Sequence, residues 1–71
     1  MKVTVVHNKE NLGEFDSVVR ARKWAEQWIW LDVETFGWAD PYHIYRNGRE
    51  IEHYLATYDE VPQIKHIKMY R

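Results

Sequence analysis

The stretch YHIYRNGREIEHYL (residues 42–55) carries the strongest local signal in the chain, and the rest of the fold can be built outward from it. Its central Asn47 and Gly48 tolerate the positive φ angles of a two-residue type I′ turn, whose twist matches that of two antiparallel strands. The stretch therefore predicts a β-hairpin with a fixed register. The predicted pairs are Arg46 with Arg49, Tyr45 with Glu50, Ile44 with Ile51, and His43 with Glu52.

Alternation along the two strands predicts which side of this hairpin faces a core. Because successive side chains point to opposite faces of a sheet, Ile44, Ile51 and Leu55 share one apolar side. We expect a second layer to cover these three residues. The opposite side is expected to be solvated, and it carries His43, Tyr45, Glu50, Glu52 and Tyr54.

The segment before the hairpin predicts one amphipathic helix over about residues 17–31, because its apolar residues recur at helical spacing. Asp16 or Ser17 can cap this helix, since a short side-chain oxygen accepts a free backbone N–H there. The predicted apolar face consists of Val18, Ala21, Trp24, Ala25, Trp28, Ile29 and Leu31. The end of the helix is left open: Gly37 is a candidate stop, and Asp32 would lie in the middle of the apolar face if the helix continued.

The remaining segments predict the other strands. KVTVV (residues 2–6) is rich in β-branched residues and predicts a first strand, and the turn after it allows a short second strand at residues 14–15. QIKHIKMYR (residues 63–71) predicts a last strand, in which the spacing of Ile64 and Ile67 indicates a bulge or a late start.

Together these elements predict an α+β fold in a single two-layer domain over residues 1–71. One helix is expected to pack on one face of a mostly antiparallel sheet of three or four strands, in the chain order β-α-β-β-β. The helix is expected to bring Trp24 and Trp28 into the core. From the sheet we expect Val3, Val5, Ile44, Ile51, Leu55 and Ile67.

The composition limits the class of protein. A chain of 71 residues without cysteine has no disulfide to stabilise it, and its four Trp, five Tyr and two Phe are its largest core-forming side chains. A net charge of −1 lacks the basic excess of a general phosphate binder. The sequence has neither an apolar run long enough for a membrane span nor a signal peptide, and the absence of cysteine fits a cytoplasmic location.

The stretch WAEQWIWLDVETFGW (residues 24–38) contains all four tryptophans and no lysine or arginine. Trp30 lies about 180° from the centre of the predicted apolar face and is expected to point to water. Phe36 and Trp38 follow in a segment expected to be irregular, where they either close the end of the core or stay on the surface.

This second half of the stretch predicts an acidic aromatic patch. The charged residues between positions 24 and 40 are all acidic: Glu26, Asp32, Glu34 and Asp40. Rings that bind single-stranded nucleic acid normally lie in a basic groove, whereas rings among carboxylates suit a protein partner with a basic surface. The predicted partner-binding residues are Trp30, Asp32, Glu34, Phe36, Trp38 and Asp40.

Other chemistry is poorly supported by the sequence. The four histidines show no i,i+4 helical pair and no cysteine partner, so no metal site or cofactor is predicted, and His43 opposite Glu52 is expected to be a surface pair. Ser17 is the single serine and serves better as a helix cap than as a nucleophile. We therefore expect a protein that is not an enzyme and has no small-molecule substrate.

The alternative function is binding of single-stranded nucleic acid. Tyr45 and Tyr54 on the outer sheet face could stack bases, and a basic C-terminal strip of Lys65, Lys68 and Arg71 could follow the backbone. Glu50 and Glu52 on the same face argue against it. A third possibility is self-association through an exposed edge strand.

The whole chain resembles the small accessory proteins that bacteriophages encode. The resemblance rests on the β-α-β-hairpin order, the lack of cysteine and the pieces FDSVVRARKWAEQW (residues 15–28) and YHIYRNGREI (residues 42–51). Many such proteins bind and inhibit or redirect a host protein; the acidic aromatic patch separately favours a partner that itself binds nucleic acid. The resemblance thus implies an inhibitor or adaptor acting in the host cytoplasm during host takeover.

Overall fold

The computed structural model describes residues 2–69 as a five-stranded antiparallel sheet with one helix on one face. In chain order the elements are β1 (Val3–His7), β2 (Glu10–Phe15), α1 (Val18–Phe36), β3 (Tyr42–Arg46), β4 (Arg49–Tyr58) and β5 (Pro62–Lys68). The strand order across the sheet is β2-β1-β3-β4-β5. The α+β class is confirmed, whereas the expected sheet of three or four strands, with one strand before the helix, is wrong.

The second strand, β2, is longer than expected because the turn before it takes up only two residues. Asn8 and Lys9 both have positive φ angles, of 53° and 67°, and they connect β1 directly to β2. An extra residue near Leu12 shifts the register, so that Val5 pairs with Gly13 and Val6 with Asn11. The predicted two-residue strand is therefore a six-residue edge strand.

The helix begins and ends at residues whose chemistry explains both boundaries. Ser17 caps its N-terminus and accepts a hydrogen bond from the Arg20 backbone N–H at 3.2 Å. Gly37 ends it with a left-handed φ of 79° and donates its backbone N–H to the Val33 carbonyl at 2.9 Å. The helix thus continues past Asp32, so the predicted span of residues 17–31 is too short, whereas Gly37 as the candidate stop is confirmed.

The side of α1 that faces the sheet is narrower than predicted. Its buried residues recur every fourth position and are mostly small: Ala21, Ala25, Ile29 and Val33. The larger rings lie to the side of this stripe, on the flank of the helix. Trp24 is half-buried beside Phe15, whereas Trp28 is 40% exposed and Leu31 is also exposed, contrary to the prediction that both belong to the core face.

The hairpin between β3 and β4 has the predicted turn but not the predicted register throughout. Asn47 and Gly48 have positive φ angles, and Arg46 pairs with Arg49 and Tyr45 with Glu50 as expected. Ile51 is then an extra residue on β4, a β-bulge. Beyond it the pairs are Ile44 with Glu52, His43 with His53 and Tyr42 with Tyr54.

Because of the bulge, the β4 residues that follow it lie on the opposite face of the sheet from the one predicted. Ile44 and Ile51 are buried in the core as predicted, together with Val3 and Val5. Glu52 and Tyr54, both expected on the outer face, are buried beneath the helix. Leu55 is consequently half-buried outside the core cluster, and Ile67 is exposed, so their assignment to the core is wrong. Strands β4 and β5 pair without the predicted irregularity, because Ile64 and Ile67 lie on opposite faces.

The Glu52 carboxylate, fully buried, is held by one basic residue from the helix and another from the adjacent strand β5. The Arg22 guanidinium donates to both of its oxygens, at 2.7 and 2.6 Å. His66 of β5 contacts the same carboxylate and stacks on Tyr54. A buried charge costs little only when it is paired and hydrogen-bonded, as this one is.

Candidate functional site: an aromatic groove

A groove runs along the flank of α1, beside the first strand pair. Trp24, Trp28, Asp32 and Phe36 follow one another at four-residue spacing, so they lie on one stripe of the helix. Two adjoining hollows of about 230 and 340 Å³ share His7 and Asp32, and we call them together the aromatic groove. The remaining lining residues are Asn8, Leu12, Trp24, Trp28, Phe36, Trp38, Ala39, Asp40 and Tyr42.

The floor of the groove is polar. The Tyr42 hydroxyl donates a hydrogen bond of 2.6 Å to Asp32 Oδ2, and the His7 ring stacks on Tyr42 with centroids 4.0 Å apart. His7 Nε2 lies 4.0 Å from the same Asp32 oxygen, which is too far for a hydrogen bond, and it is buried without a partner. The Asp32 side chain is 17% exposed and lines both hollows of the groove.

The electrostatics of the floor are negative. Burial, the hydrogen bond to Asp32 and the nearby charges of Asp32 and Asp40 all raise the pKa of the Tyr42 hydroxyl well above its usual range. Tyr42 therefore stays protonated and donates to Asp32. Among the described residues that line the groove there is no lysine or arginine, and His7 is the basic side chain beside its two carboxylates.

The rim of the groove consists of exposed rings. Phe36 and Trp38 are 67% and 57% exposed, and Trp28 borders the adjoining hollow. The left-handed turn at Gly37 redirects the chain so that Trp38 lies beside the helix end. The next residue is held in place, since the Ala39 backbone N–H donates to the Tyr58 hydroxyl at 2.5 Å. The rim can therefore offer aromatic faces to a ligand at a defined position.

The six predicted partner-binding residues divide into two groups. Asp32, Phe36, Trp38 and Asp40 all line one hollow of the groove. Trp30 and Glu34 are four residues apart on another stripe of the helix, about 200° around from Asp32. Trp30 is exposed as expected, but it borders a separate hollow with Lys23, Glu26 and Gln27. The six residues therefore do not form one patch.

The position of Asp32 shows the structure of the second half of residues 24–38, the stretch that contains all four tryptophans. Its half-buried position on a continuing helix contradicts the expectation of an irregular exposed segment. The rings beyond it nevertheless remain on the surface rather than closing the core. Sequence reasoning missed His7, Tyr42 and Trp28 as groove residues, although the four-residue spacing of Trp24, Trp28, Asp32 and Phe36 was a readable signal.

The alternative aromatic surface on the outer sheet face is not formed. Tyr54 is buried in the core, so it cannot stack bases beside Tyr45. Lys65 and Lys68 are three positions apart on a regular strand and therefore project from opposite faces of the sheet. Arg71 lies outside the described residues.

Comparison of the chain with protein-family models, with curated proteins and with solved structures finds no match. Within residues 2–69, no helix combines the length and the hydropathy that crossing a membrane requires.

Proposed function

We propose that this protein is a non-enzymatic protein-binding module, an inhibitor or adaptor, whose aromatic groove receives an arginine side chain from a basic surface of its partner. One observation carries the proposal: the Asp32 carboxylate lies on the floor of a groove whose rim is formed by exposed aromatic rings. A phage-encoded protein that acts on a host protein would fit this function.

The chemistry of the groove favours a cation over a neutral or anionic group. A guanidinium placed over an aromatic face gains about 0.5–2 kcal/mol, depending on how far it is desolvated. Its planar fork also matches a carboxylate, which here is Asp32 with Asp40 nearby. Phosphate groups would meet two carboxylates, which disfavours nucleic acid as the ligand.

The exposed rings also favour a protein partner over a free small molecule. The rim of Trp28, Phe36 and Trp38 surrounds open hollows rather than a closed pocket. A group bound there is not enclosed, which suits a side chain that belongs to the surface of a partner protein. Tryptophan is enriched among the residues that dominate binding energy at protein interfaces. We expect the rings to contribute most of the affinity and the carboxylates to select a basic partner.

Affinity capture from a lysate of the natural host tests this proposal, with three forms of the protein compared in parallel. The wild-type protein and the Trp30→Ser variant should retain the same partner, because Trp30 lies outside the groove. The Phe36→Ser/Trp38→Ser double variant should lose it, while circular dichroism shows an unchanged fold. Equal capture by all three forms would contradict the proposal, as would loss with Trp30→Ser alone.

A further inference from the structure

Three side chains with metal-binding atoms converge on the outer face of the sheet, away from the helix and the groove. His43 Nδ1 lies 2.9 Å and His53 Nδ1 lies 3.3 Å from Glu50 Oε2. One candidate ligand atom from each of the three residues lies within 4.8 Å of the other two. All three side chains are partly exposed, which leaves a path for an ion from solvent.

The β-bulge explains why these residues meet. His43 and His53 are a direct pair across β3 and β4, with ring centroids 5.7 Å apart. Glu50 and His53 are three positions apart, which would place them on opposite faces of a regular strand. The extra residue Ile51 changes the alternation between them, so both point outward.

We propose that His43, Glu50 and His53 form a binding site for Zn²⁺ or a similar divalent transition ion. Two imidazole nitrogens and one carboxylate oxygen form a ligand set that zinc uses with one position left open. Magnesium and calcium prefer sites made of oxygen atoms. Adjacent ligand atoms of a tetrahedral zinc ion lie about 3.3–3.6 Å apart, and the two distances to Glu50 Oε2 are close to this spacing.

The surroundings of the three residues also fit a metal ligand set. His53 Nδ1 is buried and makes no hydrogen bond, despite its nearness to Glu50. Such unsatisfied buried atoms are uncommon, and an ion supplies the missing partner. The strand register places Val6 beside His43, Tyr45 beside Glu50 and Ile67 beside His53. These mostly apolar neighbours limit competition from water.

The consequence of binding would be a cross-link between β3 and β4. A chain of 71 residues without cysteine has no disulfide, and small domains commonly use a bound metal in its place. The open coordination position could additionally accept a water molecule or a ligand atom from a partner. This site does not depend on the groove, since it lies on the opposite face of the sheet.

Isothermal titration calorimetry with Zn²⁺ alone tests the site on the intact chain. We expect one ion to bind per chain and Mg²⁺ not to compete. The His43→Gln/His53→Gln variant should weaken binding by at least about tenfold, because it removes two of three protein ligands. The matched control is His66→Gln, which changes a histidine on the helix-facing side of the sheet and should retain binding.

A second measurement needs no variant and so does not depend on whether a variant folds. In a Zn²⁺ titration of the wild-type chain followed by NMR, the ring resonances of His43 and His53 should shift together, whereas those of His7 and His66 should not. No saturable binding would overturn the proposal. Shifts confined to His7 or His66, or affinity unchanged by His43→Gln/His53→Gln, would also overturn it.

Discussion

Ile44 of β3 pairs with Glu52 of β4, so a fully buried carboxylate lies directly beside the centre of the apolar core. The pairing exists because Ile51 is accommodated as a bulge one position earlier. It directs Glu52 to Arg22 beneath the helix and leaves His53 on the outer face beside His43. The extra residue in β4 thus determines which of the following side chains face the helix and which face outward.

Substitutions in the buried pair of Arg22 and Glu52 are expected to lower the free energy of unfolding strongly. Glu52→Gln removes the buried negative charge to which the Arg22 guanidinium donates two hydrogen bonds, so we expect the free energy of unfolding to fall by about 3–5 kcal/mol. Urea denaturation followed by circular dichroism measures this loss. The Arg22→Met/Glu52→Leu double variant should lose less than Glu52→Gln, because it leaves no unpaired buried charge.

Arg20 provides the matched control for this prediction. It pairs with Asp16 at 3.5 Å on the exposed side of the helix, and both side chains are well solvated. Arg20→Met should therefore change the free energy of unfolding by no more than about 0.5 kcal/mol. A similar loss for Arg20→Met and Glu52→Gln would show that burial of the pair is not what matters.

Tyr54 should make the fold sensitive to alkaline pH. Burial, together with the charges of Glu26 and Glu52, raises the pKa of its hydroxyl from 10.0 to about 12. Between these values the unfolded chain loses the Tyr54 proton while the folded chain keeps it, so stability falls as pH rises; below this range Tyr54 adds no pH dependence.

Urea denaturation at several pH values across this range measures the effect. The contribution of Tyr54 is on the order of 2 kcal/mol. Tyr54→Phe should flatten the decline in the free energy of unfolding. A decline with the same slope in Tyr54→Phe would mean that other groups cause it.

The rings at the rim of the groove should matter little for stability. Phe36→Ser and Trp38→Ser remove side chains that are mostly exposed, so each should change the free energy of unfolding by no more than about 0.5 kcal/mol. Ile29→Ala, which opens a cavity in the core, should cost about 2–5 kcal/mol. Thermal and urea unfolding of the three variants provide the comparison, and a large loss for either ring variant would indicate a structural role instead.

Local chemistry made much of the fold predictable. The side chain of Ser17 suits the start of a helix and the backbone freedom of Gly37 suits its end. Asn47 and Gly48 form the predicted turn. Lys9 has no such preference, yet it adopts a positive φ in the turn that creates β2. The bulge at Ile51 could not be predicted either, because regular alternation without a bulge also places Ile44 and Ile51 in the core.

The candidate site could be predicted from the sequence only in part. The acidic and aromatic residues after Trp30 were identified by composition, and four of the six do line the groove. His7 and Tyr42 come from other strands, so only the tertiary structure places them beside Asp32. Trp28 was assigned to the core because helical spacing alone does not show that the buried stripe is as narrow as Ala21, Ala25, Ile29 and Val33.

If the aromatic groove receives an arginine side chain, a titration with N-acetyl-arginine amide followed by NMR should detect that binding. The indole N–H resonances of Trp28 and Trp38 should shift in a saturable way, with a Kd of about 1–10 mM for so small a probe. The indole resonance of Trp30 should not move. Asp32→Asn should weaken the response, and N-acetyl-glutamine amide, which is neutral, should give none. Unchanged resonances at Trp28 and Trp38, or equal shifts at Trp30, would contradict the account.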